Sequence, residues 1–366
     1  MSATPSSTSR ERFAAVIPAG GVGSRLWPLS QPSRPKFLLD LLGSGRTLLQ
    51  ATVDRLEPIA DELLIVTGVA HADAVAAQLP HLPAGSVLAE PSPRDSMAAI
   101  ALAAAVLERR HDSIVMGSFA ADHVIPDADA FRATVLTAVE IAAGGDIVTL
   151  GIEPAGPSSA FGYIEAGEPL AGGAGRRVRA FTEKPSEEVA AQLLAKGGYF
   201  WNAGMFVTRV DVLLGHLERL HPQLAAGVRE IAAAWDSDAR AEVLDRVWPT
   251  LTRIAIDHAI AEPVAAAGGV AVVPAHFAWD DVGDFHSLAA LLTPDTSGGA
   301  VVDRDAPTVF DSAAGSVVIG GTKPVVVVGA SDTVVVDTPD ALLVVSRHAA
   351  QRVKEAHEAL ERAARK

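Results

Sequence analysis

Residues 19–37 read AGGVGSRLWPLSQPSRPKF, and this stretch decides the fold. It follows an apolar run, Ala14–Ile17, that predicts a first β-strand. Glycines directly after a strand let backbone N–H groups approach an anion closely, and Arg25 and Lys36 add two fixed positive charges. The pattern predicts a nucleoside triphosphate bound by backbone groups and two cations, although the glycines alone are equally consistent with an ordinary strand-to-helix turn.

The composition predicts a globular chain of two domains and excludes several classes of protein. Its 366 residues are 49% hydrophobic, which is enough for a full core. No apolar run approaches the roughly 20 residues that span a bilayer, so we expect no membrane partner. The net charge of −14 argues against nucleic acid as a partner. The absence of cysteine excludes disulfides and favours a cytoplasmic location.

Strand and helix patterns alternate along the first 150 residues. Short apolar runs predict strands at Ala14–Ile17, Leu63–Thr67, Val87–Ala89, Ile114–Gly117 and Ile147–Gly151. Helical patterns lie at Thr47–Leu56, Ala70–Gln78, Ser96–Arg110 and Ala128–Ala143. This alternation predicts a mostly parallel sheet with helices on both faces, in which ligands bind beyond the carboxyl ends of the strands.

The pattern changes from about Ser297 onwards. Short Val-rich runs, separated by Gly, Asp, Ser and Pro, predict a small domain of stacked strands that is compatible with a left-handed β-helix, closed by a helix at Ala349–Ala364. We therefore expect a disordered polar tail at 1–12, a catalytic domain at 13–292 and a β-helical domain at 297–366. Stacked short strands leave edges that need cover, so we also expect a homodimer formed through the C-terminal domain.

The order G-x-G-x-R, with Leu26-Trp27-Pro28 and Arg34-Pro35-Lys36, resembles the sugar-1-phosphate nucleotidyltransferase family, and most of all its mannose-1-phosphate guanylyltransferases. A Walker A loop and a dinucleotide-binding fingerprint both fit worse, since the chain has no Gly-Lys-Ser/Thr triplet and no G-x-G-x-x-G at this place. The resemblance implies a Rossmann-like α/β nucleotidyltransferase domain followed by a small left-handed β-helix domain. It also implies that GMP is transferred from GTP to mannose 1-phosphate and that pyrophosphate is released.

The resemblance further implies the residues of the nucleotide side. Arg25 and Lys36 would be catalytic, and Asp122 and Asp281 would bind Mg²⁺ as the cofactor. The nucleotide would be bound by residues of the glycine-rich loop and of the segment after the third strand, namely Ala19, Gly20, Gly21, Gly23, Ser24, Glu90, Arg94 and Asp95. A carboxylate such as Glu90 has only acceptors, which matches the adjacent N1–H and N2–H donors of guanine. Taken alone, each aspartate is equally typical of a turn or a helix cap.

The sugar phosphate would be bound by residues of three further motifs that the resemblance identifies, namely Gly162, Tyr163, Glu183, Lys184 and Asn202. Lys184 supplies a point charge for a phosphate, and Asn202, the single asparagine of the chain, can donate and accept at once. Without the resemblance, Lys184 reads as part of an exposed ion pair and Asn202 as a turn residue. Asp257 and Glu262 resemble a family segment that precedes the second metal site, although a helix surface is an equally good interpretation.

Two alternative functions stay open from the sequence. The first is a sugar-1-phosphate nucleotidyltransferase with another base or another sugar. The second is a non-catalytic regulatory homologue that binds a sugar nucleotide, against which the intact set of Arg25, Lys36, Asp122 and Asp281 argues.

Overall fold

The computed structural model describes residues 11–364, and by spatial contacts the chain divides into two compact units. Unit 1 comprises the described residues up to Pro18, together with Val53–Ala120 and Pro126–Ala278. Unit 2 comprises Ala19–Thr52, Ala121–Ile125 and the chain from Trp279 onwards. The predicted tail lies outside the described residues, apart from its last two positions. The predicted domain boundaries stay predictions, because the two units are interleaved along the chain.

Unit 1 contains a nine-stranded sheet in the order β3-β2-β1-β4-β8-β5-β9-β7-β6. Its strands are β1 (Phe13–Ala19), β2 (Glu62–Gly68), β3 (Val87–Glu90), β4 (Val115–Ser118), β5 (Ile147–Ile152), β6 (Gly162–Pro169), β7 (Arg176–Thr182), β8 (Tyr199–Arg209) and β9 (Val270–Ala275). The first five lie where the sequence predicts strands.

The sheet is mixed, and most of its strands run in one direction, as predicted: β1, β4, β5, β6 and β9 are parallel to one another, and β7 and β8 run against them. Strand β1 runs parallel to β4, β2 to β3, and β5 to β9. In contrast, β8 runs antiparallel to β4, β5 and β6, and β7 runs antiparallel to β6 and β9. The connection between β6 and β7 is too short for the crossover that a parallel pair needs, which requires a dozen or more residues.

The helices are α1 (Leu48–Leu56), α2 (Ala72–Gln78), α3 (Asp95–Arg110), α4 (Ala128–Ala143), α5 (Glu187–Lys196), α6 (Val210–Leu220), α7 (Pro222–Ala234), α8 (Arg240–Val247), α9 (Glu262–Ala266), α10 (Phe285–Leu291) and α11 (Val353–Ala364). Helix α3 lies at the centre of the core of unit 1, since every residue from Met97 to Leu107 is buried. A helix that is apolar all round needs cover on every side, and α3 packs against α6 and α7. None of the described helices is both long and apolar enough to cross a membrane.

Unit 2 contains the predicted β-rich region. Its strands are β10 (Ala300–Val302), β11 (Thr308–Asp311), β12 (Val317–Gly320), β13 (Val325–Val328), β14 (Thr333–Asp337) and β15 (Leu342–Ser346). Strands β10, β12 and β14 are stacked in parallel, β11 and β13 form a second parallel pair, and β15 closes the larger sheet in the antiparallel direction. This arrangement is a small β-helix-like domain, and its left-handed sense stays a prediction.

The stack has a regular period. Ala300 is paired with Val317, and Val317 with Val334, so one coil is 17 residues long. The second face keeps the same period, with Thr308 paired with Val325. The inward side chains of the coils join a core that also includes Leu26 of the glycine-rich segment.

Candidate active site

The glycine-rich segment lies in unit 2 and is shaped around Lys36. Gly21 and Gly23 have φ angles of 80° and 75°, a region that side chains other than glycine adopt only with strain. A Cβ at position 23 would lie 3.0 Å from three carbons of the Lys36 side chain. Glycine is therefore required at position 23 for two reasons. The backbone has a positive φ there, and the Lys36 side chain packs where a Cβ would lie.

Lys36 is a buried cation that joins the two predicted metal ligands. Its Nζ donates to the backbone carbonyl of Asp281 at 2.6 Å and forms an ion pair with Oδ2 of Asp122 at 2.9 Å. The loops that carry the two aspartates are themselves joined, because Val124 and Asp280 exchange two backbone hydrogen bonds. The structure thus brings together two carboxylates that are separated by more than 150 residues of sequence.

The two adjacent aspartates, Asp280 and Asp281, have different roles. The Asp280 carboxylate accepts from the N–H of Val282 at 2.6 Å and so forms a local turn. Asp281 faces the predicted phosphate site. Burial raises the pKa of the Asp281 carboxyl, the Lys36 ammonium lowers it and the Asp122 carboxylate raises it. This division agrees with the expectation that Asp281, rather than Asp280, is the ligand.

A cavity of about 300 Å³ surrounds these groups within unit 2. Its lining consists of Gly21, Gly23, Ser24, Arg25, Lys36, Asp122, Asp281, Gly283 and Lys354. We call it the phosphate cavity. Its fixed positive charges and glycine backbone are the chemistry that a polyphosphate needs. Lys354 was not identified by sequence reasoning, and its only signal there is that it is one of few lysines in the chain.

The residues of the phosphate cavity fit Mg²⁺. The described residues contain no group of three or more His, Cys, Asp or Glu that could hold a metal ion. Mg²⁺ does not need such a group, because it is commonly bound by one or two carboxylates and completed by phosphate oxygens and water. Asp122 and Asp281 are such a pair of carboxylates, close enough for the charge of Asp122 to raise the pKa of Asp281.

The predicted sugar-side residues gather in unit 1. Asn202 donates from Nδ2 to Oδ1 of Asp257 at 2.6 Å, while its Oδ1 accepts from the N–H of Gly204 at 3.0 Å. Lys184 forms an ion pair with Glu183 at 3.0 Å. Burial raises the pKa of Asp257, the hydrogen bond from Asn202 lowers it and the charge of Glu183 raises it. Asp257 is therefore half-buried and bonded to Asn202 within this cluster, and the role of its segment stays a prediction.

Two of the predicted sugar-side residues, Gly162 and Tyr163, have structural roles beside this cluster. A Cβ at Gly162 would lie 2.6 Å from Oε2 of Glu183, so a larger residue there would displace the Glu183 carboxylate. Tyr163 is fully buried, and its hydroxyl both donates to the carbonyl and accepts from the N–H of Ser158. The role of Tyr163 in binding the sugar phosphate stays a prediction, and in this structure its hydroxyl positions the Ser158 segment.

The base-side residues lie at the end of β3 and the start of α3, also in unit 1. Glu90 is buried, and its Oε2 has no hydrogen-bond partner among the residues that the structure describes. Burial raises the pKa of Glu90 to about 7. Arg94 donates to the carbonyl of Leu251 at 3.3 Å, which directs it into its own unit. Asp95 is exposed and has a φ of 64°. Of the three, only Glu90 offers a buried acceptor that a ligand could satisfy.

The family models cover most of the chain. Residues 14–297 match the family described as nucleotidyl transferase, and residues 309–360 match the family described as MannoseP isomerase/GMP-like beta-helix domain. The chain is 36% identical to the mannose-1-phosphate guanylyltransferase ManC of Salmonella typhimurium, over 94% of this chain and 72% of that protein. The chain belongs to the mannose-1-phosphate guanylyltransferase family.

Two further relatives describe how far this family likeness extends. The mannose-1-phosphate guanylyltransferase of Escherichia coli K12 is 37% identical over 76% of this chain. A crystal structure of a mannose-1-phosphate geranyltransferase from Thermus thermophilus has 32% identity and a TM-score of 0.83, covering 96% of this chain and 99% of that one. The chain spans 60% of the length of several curated family members, including the one from E. coli.

Proposed function

We propose that the protein transfers GMP from GTP to mannose 1-phosphate, giving GDP-mannose and pyrophosphate. The phosphate cavity carries this proposal, because it combines a glycine loop, three cations and a pair of carboxylates. An oxygen of the sugar phosphate forms a bond to the α-phosphorus of GTP. The bond from that phosphorus to the β-phosphate oxygen breaks, and pyrophosphate leaves with the electron pair.

The chain's own residues act by binding and by neutralising charge. The nucleophile is already an anion near pH 7, so no general base is needed. Arg25 and Lys36 stabilise the triphosphate and the departing pyrophosphate. Asp122 and Asp281 would hold Mg²⁺, which would neutralise charge on the phosphate oxygens when bound. Lys36 also fixes both aspartate residues before any substrate arrives.

We assign recognition of the guanine base and of the sugar phosphate to residues of unit 1. Glu90 supplies the unsatisfied acceptor that favours guanine, whose edge presents two adjacent donors. Asn202 and Asp257 present an amide and a carboxylate to the sugar hydroxyls, and Lys184 presents its charge to the sugar phosphate. The same cluster would serve another hexose phosphate, so the choice of mannose rests on the family likeness.

We further propose that two copies of the chain associate through the β-helix-like domain. Valines on its outer faces are more than half exposed, among them Val309, Val326, Val328 and Val344. Val309 and Val326 are paired neighbours on adjacent strands, and exposed apolar side chains that lie together can mark an interaction site. Sedimentation should give twice the mass of the chain, and a strict monomer at micromolar concentration would contradict the proposal.

A screen of pyrophosphate release tests the reaction. The four nucleoside triphosphates are combined with mannose, glucose, galactose and N-acetylglucosamine 1-phosphates in the presence of Mg²⁺. We expect the fastest release with GTP and mannose 1-phosphate, and product of the mass of GDP-mannose. A faster reaction with another pair would mean that the protein uses that pair of substrates instead. Binding of sugar nucleotides without any release would favour the regulatory alternative.

A further inference from the structure

Lys354, on the C-terminal helix α11, lines the phosphate cavity together with Arg25 and Lys36. All three lie in unit 2, although Lys354 belongs to the β-helix-like domain and the other two to the glycine-rich segment. Lys354 is exposed, so its ammonium is free to approach an anion in the cavity. A residue that the sequence assigns to a separate domain thus becomes part of the site.

The first turns of α11 are attached directly to the glycine-rich segment. The ring of His357 is stacked on Trp27, with centroids 4.6 Å apart and planes inclined by 20°. Val353 is buried in the same apolar cluster as Leu26. Lys354 lies between these two anchors in sequence, so its backbone position relative to Arg25 is fixed by packing on both sides.

The segment before α11 is attached to the other side of the cavity. Gln351 donates from Nε2 to Oδ2 of Asp284, whose Oδ1 caps α10 by accepting from the N–H groups of His286 and Ser287. Asp284 directly follows Gly283, which lines the cavity. Both residues come just after the turn formed by Asp280. The C-terminal segment therefore contacts two of the three loops that carry cavity residues, and its placement there does not depend on a single bond.

We propose that Lys354 is a third cation for the triphosphate and for the departing pyrophosphate, supplied by the C-terminal domain. The inference rests on the proposed function for the identity of the ligand. Lys36 already forms an ion pair with Asp122 and a hydrogen bond to Asp281, whereas the exposed ends of Arg25 and Lys354 remain to face the phosphates. The C-terminal domain then contributes to binding as well as to any association of subunits.

The test compares Lys354→Ala and Lys354→Arg with Lys323→Ala, a matched loss of an exposed lysine in the same domain outside the cavity. The probe is inorganic pyrophosphate with Mg²⁺, and its Kd is measured by calorimetry on the full chain. We expect Lys354→Ala to weaken Kd about three- to tenfold, the scale for one exposed charge, with the same rise in KM for GTP. KM for mannose 1-phosphate should not change. Lys354→Arg and Lys323→Ala should stay within about twofold of the unaltered protein.

The outcomes separate this inference from the proposed function. An unchanged Kd for pyrophosphate in Lys354→Ala, in a protein that makes GDP-mannose, overturns the role of Lys354 alone. A weakened Kd in a protein that makes no GDP-mannose supports the role of Lys354 and overturns the reaction. Equal loss in Lys354→Ala and Lys354→Arg, together with a lowered Tm, would show a structural role for the side chain and contradict the inference.

Discussion

The phosphate cavity and the buried Glu90 differ in how their charges are compensated. In the cavity, Lys36 bonds Asp122 and the backbone of Asp281 without any ligand, so the charges stabilise one another. Glu90 is buried to a similar degree, yet its Oε2 has no partner within the described residues. The first region is therefore organised without a ligand, whereas the second leaves a buried acceptor that a ligand able to donate hydrogen bonds would satisfy.

The largest effect should come from breaking the organised region. Lys36→Ala removes the cation that holds both aspartate residues, and Asp281→Asn removes a carboxylate from the proposed metal site. Each should lower kcat by about 10²–10³, the scale for one preorganised charged group. Steady-state kinetics with GTP and mannose 1-phosphate measure this. Retention of more than a tenth of the activity in a folded Lys36→Ala protein would contradict the role of Lys36.

A smaller loss should follow when Lys36 is displaced instead of removed. Gly23→Ala places a Cβ 3.0 Å from the lysine stem and forces a strained φ of 75°. We expect about a tenfold to hundredfold loss of kcat and a lowered Tm, since strain of this kind costs about 1–3 kcal/mol. Gly45→Ala is the matched control, because its φ of 77° imposes the same strain and a Cβ there meets nothing within 4 Å. Equal behaviour of the two variants would show that the glycine loop does not position Lys36.

Glu90 should reveal its unsatisfied charge as a pH dependence of stability. Its pKa rises from 4.5 to about 7 on folding, so between these values the native state binds more protons than the unfolded state. The free energy of unfolding therefore falls as pH rises from 4.5 to 7, by up to about 3 kcal/mol at 1.4 kcal/mol per pKa unit. Glu90→Gln should raise Tm clearly at pH 8 and only slightly at pH 5. A Tm gain that is equal at both values would mean that Glu90 is not the titrating group.

The same variant should also change the choice of base. Guanine offers two donors to a carboxylate, whereas thymine and uracil place a carbonyl beside their single donor. Glu90→Gln supplies a donor to that carbonyl and should narrow the ratio of kcat/KM for GTP over dTTP by about tenfold, which corresponds to 1.4 kcal/mol. The measurement is kcat/KM for GTP and kcat/KM for dTTP in both proteins at pH 8. An unchanged ratio would show that the base is recognised by other groups.

The smallest effect is expected at Lys184, whose side chain is 64% exposed. Lys184→Ala should raise KM for mannose 1-phosphate about threefold to tenfold and leave kcat nearly unchanged, because an exposed charge binds ground state and transition state alike. Lys323→Ala is again the matched control. A rise in KM for GTP alone would show that Lys184 belongs to the nucleotide side.

The sequence predicts best what depends on local chemistry. Strands β1 to β5 and the helix α4 lie where their patterns place them, because each is determined by residues close in sequence. The glycine loop and Lys36 are recognisable for the same reason. The antiparallel β8 could not be predicted, since its motif reads as a turn around Asn202 and its strand exists only through pairing with distant strands.

Residues that act through distant partners were harder to identify. Tyr163 belongs to a motif, yet only the structure shows that its hydroxyl is used by Ser158. Asp257 gave an ambiguous signal until its hydrogen bond to Asn202 was seen. Lys354 carries almost no signal in the sequence. Its place in the phosphate cavity depends on packing such as that of His357 on Trp27, two residues that are 330 positions apart in sequence.

The 17-residue period of the stacked strands limits how the length of this chain can vary. Inserting one residue within a strand would turn its inward valines outward, whereas inserting a whole coil would preserve the pairing. A whole additional coil would still move the start of α11 by about one strand spacing, near 4.8 Å. That displacement would separate His357 from Trp27. The number of coils is therefore coupled to the contact between the last helix and Trp27.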